Sequence, residues 1–86
     1  MNKVKEIEKL RKRVDIVDRK LVSLLAERFK TTKEIIFLKK RDGLAVKDGR
    51  REDIILKEAS KLAKEIKINT DFIKDIFKRI LKESKK

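Results

Sequence analysis

Apolar residues recur in steps of three and four along the first half of the chain. They form an apolar seam of Ile7, Leu10, Val14, Val17, Leu21, Leu24, Ile35 and Leu38. This spacing is typical of one face of an α-helix that packs against a partner in coiled-coil fashion. No proline or glycine interrupts Lys3 to Lys40. The pattern therefore predicts one helix of about 38 residues, on the order of 57 Å long.

Two shorter helices are predicted after this long one. Gly43 tolerates the left-handed conformation that closes a helix, so a loop follows it to about residue 46. Asp48 is suited to cap a second helix over roughly residues 49–66. Asn69 or Thr70 can cap a third helix that ends near Ser84. Their apolar stripes are Ile54, Ile55, Ala59, Leu62, Ala63 and Ile66, and then Phe72, Ile73, Ile76, Phe77, Ile80 and Leu81.

These elements predict an all-α fold with one long and two short helices in a single domain over residues 1–86. A chain of 86 residues builds only a thin core by itself. It would also leave much of the long seam in water. We therefore expect the long helix to be the shared spine of an intertwined homodimer.

The composition narrows the possible chemistry. Cysteine and histidine are both absent, which excludes disulfides, thiolate metal sites and the commonest general acid or base. We expect no metal and no cofactor. The first ten residues lack the apolar segment of a signal peptide, and no apolar run is long enough to span a membrane. A cytoplasmic protein without membrane contact is expected.

A formal charge of +12 is compatible with a nucleic-acid partner, an anionic substrate or a lysine-rich surface. A basic helical dimer that binds nucleic acid is one alternative function. Two observations disfavour it: lysines alternate with acids along the chain, and no aromatic platform is available for stacking bases. A purely structural coiled coil is a second alternative, but it leaves a charge within the seam unexplained.

That charge is Arg28. The seam continued past Leu24 would place apolar residues at positions 28 and 31, where the chain has Arg28 and Thr31. A buried guanidinium needs either a carboxylate from the protein or an anionic ligand, since leaving it unpaired costs several kcal/mol. The sequence leaves both readings open.

Lys39 is the second candidate cation. It follows Arg28 by 11 residues, a rotation of about 20° around a helix, so both side chains project from one face. Thr32 and Ile35 lie between them. With Cα atoms about 16 Å apart, the two cations can converge on a small anion. Arg11 is rotated by about 100° and lies about 25 Å from Arg28, so it cannot reach the same small ligand within one helix. In an antiparallel dimer it could enter the partner's pocket, and otherwise it is an ordinary surface residue.

A distinctive set of residues is spaced across the whole chain: Leu10-Arg11, Asp18, Leu21, the run Leu24-Leu25-Ala26-Glu27-Arg28, Lys39, Val46-Lys47-Asp48, Arg51-Glu52 and Ser84. Together these residues resemble the all-helical class of chorismate mutase. The resemblance implies a cofactor-free homodimer that converts chorismate into prephenate. It also implies that Lys39 and Arg28 are catalytic, with Lys39 donating to the ether oxygen and one carboxylate. Arg28 and Arg51 would bind substrate carboxylate, and Arg11 would come from the partner chain.

For three further residues the resemblance implies polar contacts with substrate. Asp48 and Glu52 would meet the ring hydroxyl and nearby groups, and Ser84 would be a small polar pocket residue. The family usually has a Gln or Glu one helical turn beyond Ser84, facing the ether oxygen opposite the lysine, whereas this sequence reaches Lys86. Weak activity or altered pH dependence is therefore expected unless another group takes that place. A lyase of the same fold that removes pyruvate from isochorismate remains an alternative, since it needs the same dianion site.

Overall fold

The chain folds into three α-helices, as seen in a computed structural model that describes residues 2–86. The helices are α1, Lys3–Arg41, α2, Gly49–Glu65, and α3, Thr70–Ser84. Residues 2–86 contain no β-strand. The predicted all-α class, with one long and two short helices, is confirmed, and the predicted ends of the first two helices differ from the observed ones by one residue each.

Helix α1 is continuous over 39 residues. Asn2 caps its start, because its side-chain oxygen accepts hydrogen bonds from the backbone N–H groups of Val4 at 3.1 Å and Lys5 at 3.4 Å. Thr31, which interrupts the seam, donates its hydroxyl proton to the Glu27 carbonyl at 2.9 Å. Its polar group is therefore satisfied within the helix.

The two interhelical turns share one geometry, with different residues at the critical position. After α1, the Leu44 N–H donates to the Lys39 carbonyl at 2.8 Å and Gly43 has φ of 71°. After α2, the Ile68 N–H donates to the Ala63 carbonyl at 2.9 Å and Lys67 has φ of 59°. Both are Schellman closures, which require a left-handed residue just past the helix. The closure after α1 was expected from Gly43. The closure after α2 has Lys67 at the position where glycine is usual.

Helices α2 and α3 pack against each other. Ala63 and Leu81 are the buried hydrophobic residues, 2% and 7% exposed. Six neighbours on the predicted stripes are half-buried: Ile55, Ala59, Ile73, Ile76, Phe77 and Ile80. The remaining stripe residues Ile54, Leu62, Ile66 and Phe72 stay exposed in the single chain. The core between these helices is therefore small, as expected for a chain of this size.

The structure divides into two units, one ending at Glu34 and the other beginning at Ile35. The first unit contains most of α1, and the second contains its last turns with α2 and α3. Because the division falls inside one helix, the single domain over residues 1–86 stays a prediction. None of the helices described combines the length and apolar character needed to cross a membrane.

Candidate functional site

Lys39 lies in the last turn of α1 and is half-buried, whereas Lys40 and Arg41 beside it are exposed. The Lys39 carbonyl accepts the hydrogen bond that closes the helix, so its backbone position is set by the turn at Gly43. Three cations at a helix C-terminus also interact favourably with the helix dipole. The environment of Lys39 thus differs from that of an ordinary surface lysine.

Arg28 lies on α1 in a half-buried stripe with Leu25, Phe29, Thr32, Ile36 and Lys39. These positions repeat at helical spacing, so Arg28 and Lys39 share one face of α1. Ile35, expected between them, is exposed, and Ile36 is the half-buried residue instead. The seam residues proper are all exposed in the single chain. Arg28 is therefore shielded more than the apolar seam in which the sequence placed it.

Asp48 caps the start of α2, as predicted. Its Oδ1 accepts a hydrogen bond from the Arg51 N–H at 3.0 Å. This bond satisfies an N–H group that has no partner within the helix. It also holds Arg51 and Glu52 in the first turn, with Arg51 exposed and Glu52 half-buried.

Ser84 lies at the end of α3 and donates its hydroxyl proton to the Ile80 carbonyl at 2.7 Å. The next residue, Lys85, places its Nζ 2.7 Å from Oε1 of Glu52. The structure therefore brings the end of α3 to the start of α2. A groove of about 240 Å³ lies there, with Gly49, Glu52, Leu81 and Lys85 among its lining residues.

Arg11 is on the outside of α1, and its side chain is 72% exposed. Its Nη1 lies 3.1 Å from Oε1 of Glu8, three residues earlier on the same helix. Such a pair at a helix surface contributes only a few tenths of a kcal/mol. Arg11 is thus accessible in the single chain to a group from another molecule.

The sequence analysis missed two features of the region built by α2 and α3. One is the contact of Lys85 with Glu52, for which a lysine-rich tail offers no sequence signal. The other is a groove of about 490 Å³ lined by Asp53, Leu56, Lys57, Ser60, Lys61, Lys64, Lys74 and Lys78. Its lysines recur at helical spacing on each helix, which a search for basic stripes could have found.

Comparison with known proteins shows the family to which the chain belongs. The model of the family described as chorismate mutase type II matches residues 10–86. The chain belongs to that family. The match extends over every residue predicted for the site, from Arg11 to Ser84. The resemblance to the all-helical chorismate mutases is confirmed.

Several curated proteins are similar to the chain at modest identity. The chorismate mutase of Methanocaldococcus jannaschii is 28% identical over 82 residues, which are 95% of this chain and 83% of the relative. The T-protein of Enterobacter agglomerans is 35% identical over 81 residues, 94% of this chain and 22% of the relative. A bifunctional chorismate mutase/prephenate dehydratase of Buchnera aphidicola is 32% identical over 74 residues, 86% of this chain and 19% of the relative.

The chain therefore spans about a fifth of the T-protein and of the bifunctional protein. It spans most of the archaeal chorismate mutase. No solved structure matches the chain significantly.

Proposed function

We propose that the chain is a chorismate mutase that rearranges chorismate to prephenate without a cofactor. The observation that carries this proposal is the family match over residues 10–86. The similarity to a chorismate mutase of nearly the same length supports it. The chain has neither histidine nor cysteine. An intramolecular rearrangement, in which a C–O bond breaks as a C–C bond forms, needs no nucleophile and no proton shuttle.

Charge is the main requirement of such a site, because chorismate is a dianion. In our proposal Arg28 and Arg51 bind substrate carboxylate, which suits the planar fork of a guanidinium. Lys39 supplies a compact point charge to the ether oxygen and the other carboxylate. The half-burial of Arg28 and Lys39 on one face of α1 supports these roles, since partial removal from water strengthens charge interactions.

The rate enhancement would come from two sources. The cations hold the flexible substrate in a compact, chair-like form, and Lys39 places positive charge where the ether oxygen becomes negative. An acceleration of about a millionfold requires about 8 kcal/mol. Conformational restriction and one or two preorganised charge-assisted hydrogen bonds can supply this amount.

The polar residues of α2 and α3 complete the proposed site. Asp48 uses Oδ1 for the helix cap, and we assign its second oxygen, together with Glu52, to the ring hydroxyl and nearby groups. Ser84, half-buried at the end of α3, is assigned as a pocket hydroxyl. These acceptors and donors would orient the substrate, while the cations bind it.

The proposal includes a homodimer in which Arg11 enters the site of the partner. Two observations support it: Arg11 is exposed, and so is every residue of the apolar seam. An exposed apolar seam along α1 favours burial against another copy of the chain. We place this dimer in the cytoplasm, which a cysteine-free sequence suits. We assign it neither a nucleic-acid nor a membrane partner, because acids are interspersed among its lysines.

A direct assay tests the function. Purified protein is incubated with chorismate, and the loss of substrate and the appearance of prephenate are followed by chromatography. In parallel, isochorismate is supplied and pyruvate is measured. Prephenate from chorismate supports the proposal, whereas pyruvate from isochorismate without prephenate would assign the lyase reaction instead.

A further inference from the structure

The ion pair of Lys85 with Glu52 links two helices. Its atoms are 2.7 Å apart and join the end of α3 to the start of α2. Three ion pairs elsewhere in the described part of the chain join residues no more than three apart, namely Arg11–Glu8, Arg41–Asp42 and Lys86–Glu83. The Lys85–Glu52 pair differs from these three local pairs because it connects residues distant in the sequence.

The pair is partly shielded from water. The Glu52 side chain is 24% exposed and that of Lys85 is 42% exposed. Both line the groove of about 240 Å³, beside the buried Leu81. A short N–H⁺···O⁻ contact is stronger than a neutral hydrogen bond. Its partial exposure nevertheless limits its energy to the range of surface pairs.

This contact matters because Glu52 is a carboxylate in a site proposed for a dianion. An uncompensated carboxylate would repel such a substrate. A glutamate side chain without a fixed partner also samples several rotamers and loses that freedom on binding. The ion pair with Lys85 offsets the negative charge of Glu52 and restricts the position of its Oε1 atom.

We propose that Lys85 is a positioning residue that holds the Glu52 carboxylate at the α2–α3 groove and offsets its charge toward a dianionic substrate. This role rests on the proposed function, in which Glu52 contacts the substrate. Lys85 itself acts through Glu52, so its loss affects substrate binding more than the chemical step.

The test compares Lys85→Met with Lys86→Met. Each variant removes a C-terminal lysine that pairs with a glutamate. The Lys86–Glu83 pair, however, is a local and exposed contact. Lys85→Met should raise KM for chorismate about two- to fivefold, as expected for loss of a partly exposed charge interaction, with kcat little changed. Lys86→Met should leave both constants unchanged, and Lys85→Arg should restore KM. Circular dichroism and urea midpoints show whether each variant is folded.

A double-mutant cycle separates positioning from a general effect of charge. In a Glu52→Gln background, Lys85→Met should have no further effect on KM, because the carboxylate that it serves is gone. An equal rise in KM in both backgrounds, or the same rise in Lys86→Met, would overturn the role of Lys85. Failure of the unmodified protein to form prephenate would instead disprove the proposed function, so the two failures are distinguishable.

Discussion

The Leu44 N–H donates a 2.8 Å hydrogen bond to the Lys39 carbonyl, so the chain turns away from α1 within five residues of the lysine. The turn depends on Gly43, whose φ is 71°. The backbone at Lys39 is therefore held by a helix closure rather than by a fraying end. A preorganised cation in this position is what the proposed transition state requires.

Lys39→Ala should lower kcat by at least about a thousandfold, or about 4 kcal/mol, the scale of losing an oxyanion-type donor. Lys39→Arg should not rescue activity, because a planar guanidinium cannot put a point charge in the same place. Lys40→Ala is the matched control, since Lys40 is the exposed neighbour. Steady-state kinetics measure all three, and a loss in Lys39→Ala of less than tenfold would contradict the assigned role.

Arg11→Ala and Arg28→Ala chains, each inactive alone, should regain activity when mixed, unfolded and refolded together. In a mixed dimer, one of the two sites receives an intact Arg28 from one chain and an intact Arg11 from the other. Differently tagged chains allow the heterodimer to be isolated before the assay. No activity in a verified heterodimer would mean that Arg11 does not enter the partner's site.

Replacing a seam residue with a charge should disrupt the proposed dimer. Leu21→Glu places a carboxylate in the apolar face, whereas Val22→Glu places it on the adjacent residue, which is also exposed but lies outside the seam. Sedimentation of the unmodified protein should give a mass near twice 10.2 kDa, and its unfolding midpoint should rise with concentration. Leu21→Glu should abolish both properties and Val22→Glu should retain them. A stable, active monomer of the unmodified chain would contradict the architecture.

Gly43→Ala should destabilise the protein by about 1–2 kcal/mol, because an L-residue is strained in the left-handed region. The cause would be the backbone alone, since nothing lies within 4 Å of a Cβ added at Gly43. Gly49→Ala is the control: a Cβ there also meets open space, and Gly49 lacks a positive φ. It should be neutral or slightly stabilising. Urea unfolding at one fixed protein concentration compares the two, and equal effects would rule out strain as the cause.

Lys67→Gly should have the opposite effect to Gly43→Ala and raise the free energy of unfolding by about 0.5–1 kcal/mol. Lys67 has φ of 59°, so glycine relieves strain that exceeds its own entropic cost. Lys67→Ala keeps the strain while removing the charge, and should give no such gain. The same urea measurement applies. A gain in Lys67→Ala equal to that in Lys67→Gly would show that the charge, and not the backbone, is responsible.

Much of the candidate site could be predicted before any coordinates, because the family spacing identifies residues one at a time. Lys39, Asp48, Arg51, Glu52 and Ser84 all lie in the unit that begins at Ile35. The role of Asp48 as a helix cap was also predictable, since the cap binds an N–H only three residues away. The contact of Glu52 with Lys85 was not, because nothing distinguishes Lys85 from Lys86 in the sequence.

The sequence by itself determined the three helices, the closure of α1 at Gly43 and the cap of α2 at Asp48, because helix periodicity and capping act over a few residues. The spacing of its residues also determined the family. The tertiary structure alone decided that Lys85 meets Glu52. This contact joins the end of α3 to the start of α2, whose approach no local pattern encodes. The tertiary structure also decided the strained conformation of Lys67. That residue takes the left-handed position of the Schellman closure that ends α2, where glycine is usual and lysine is rare.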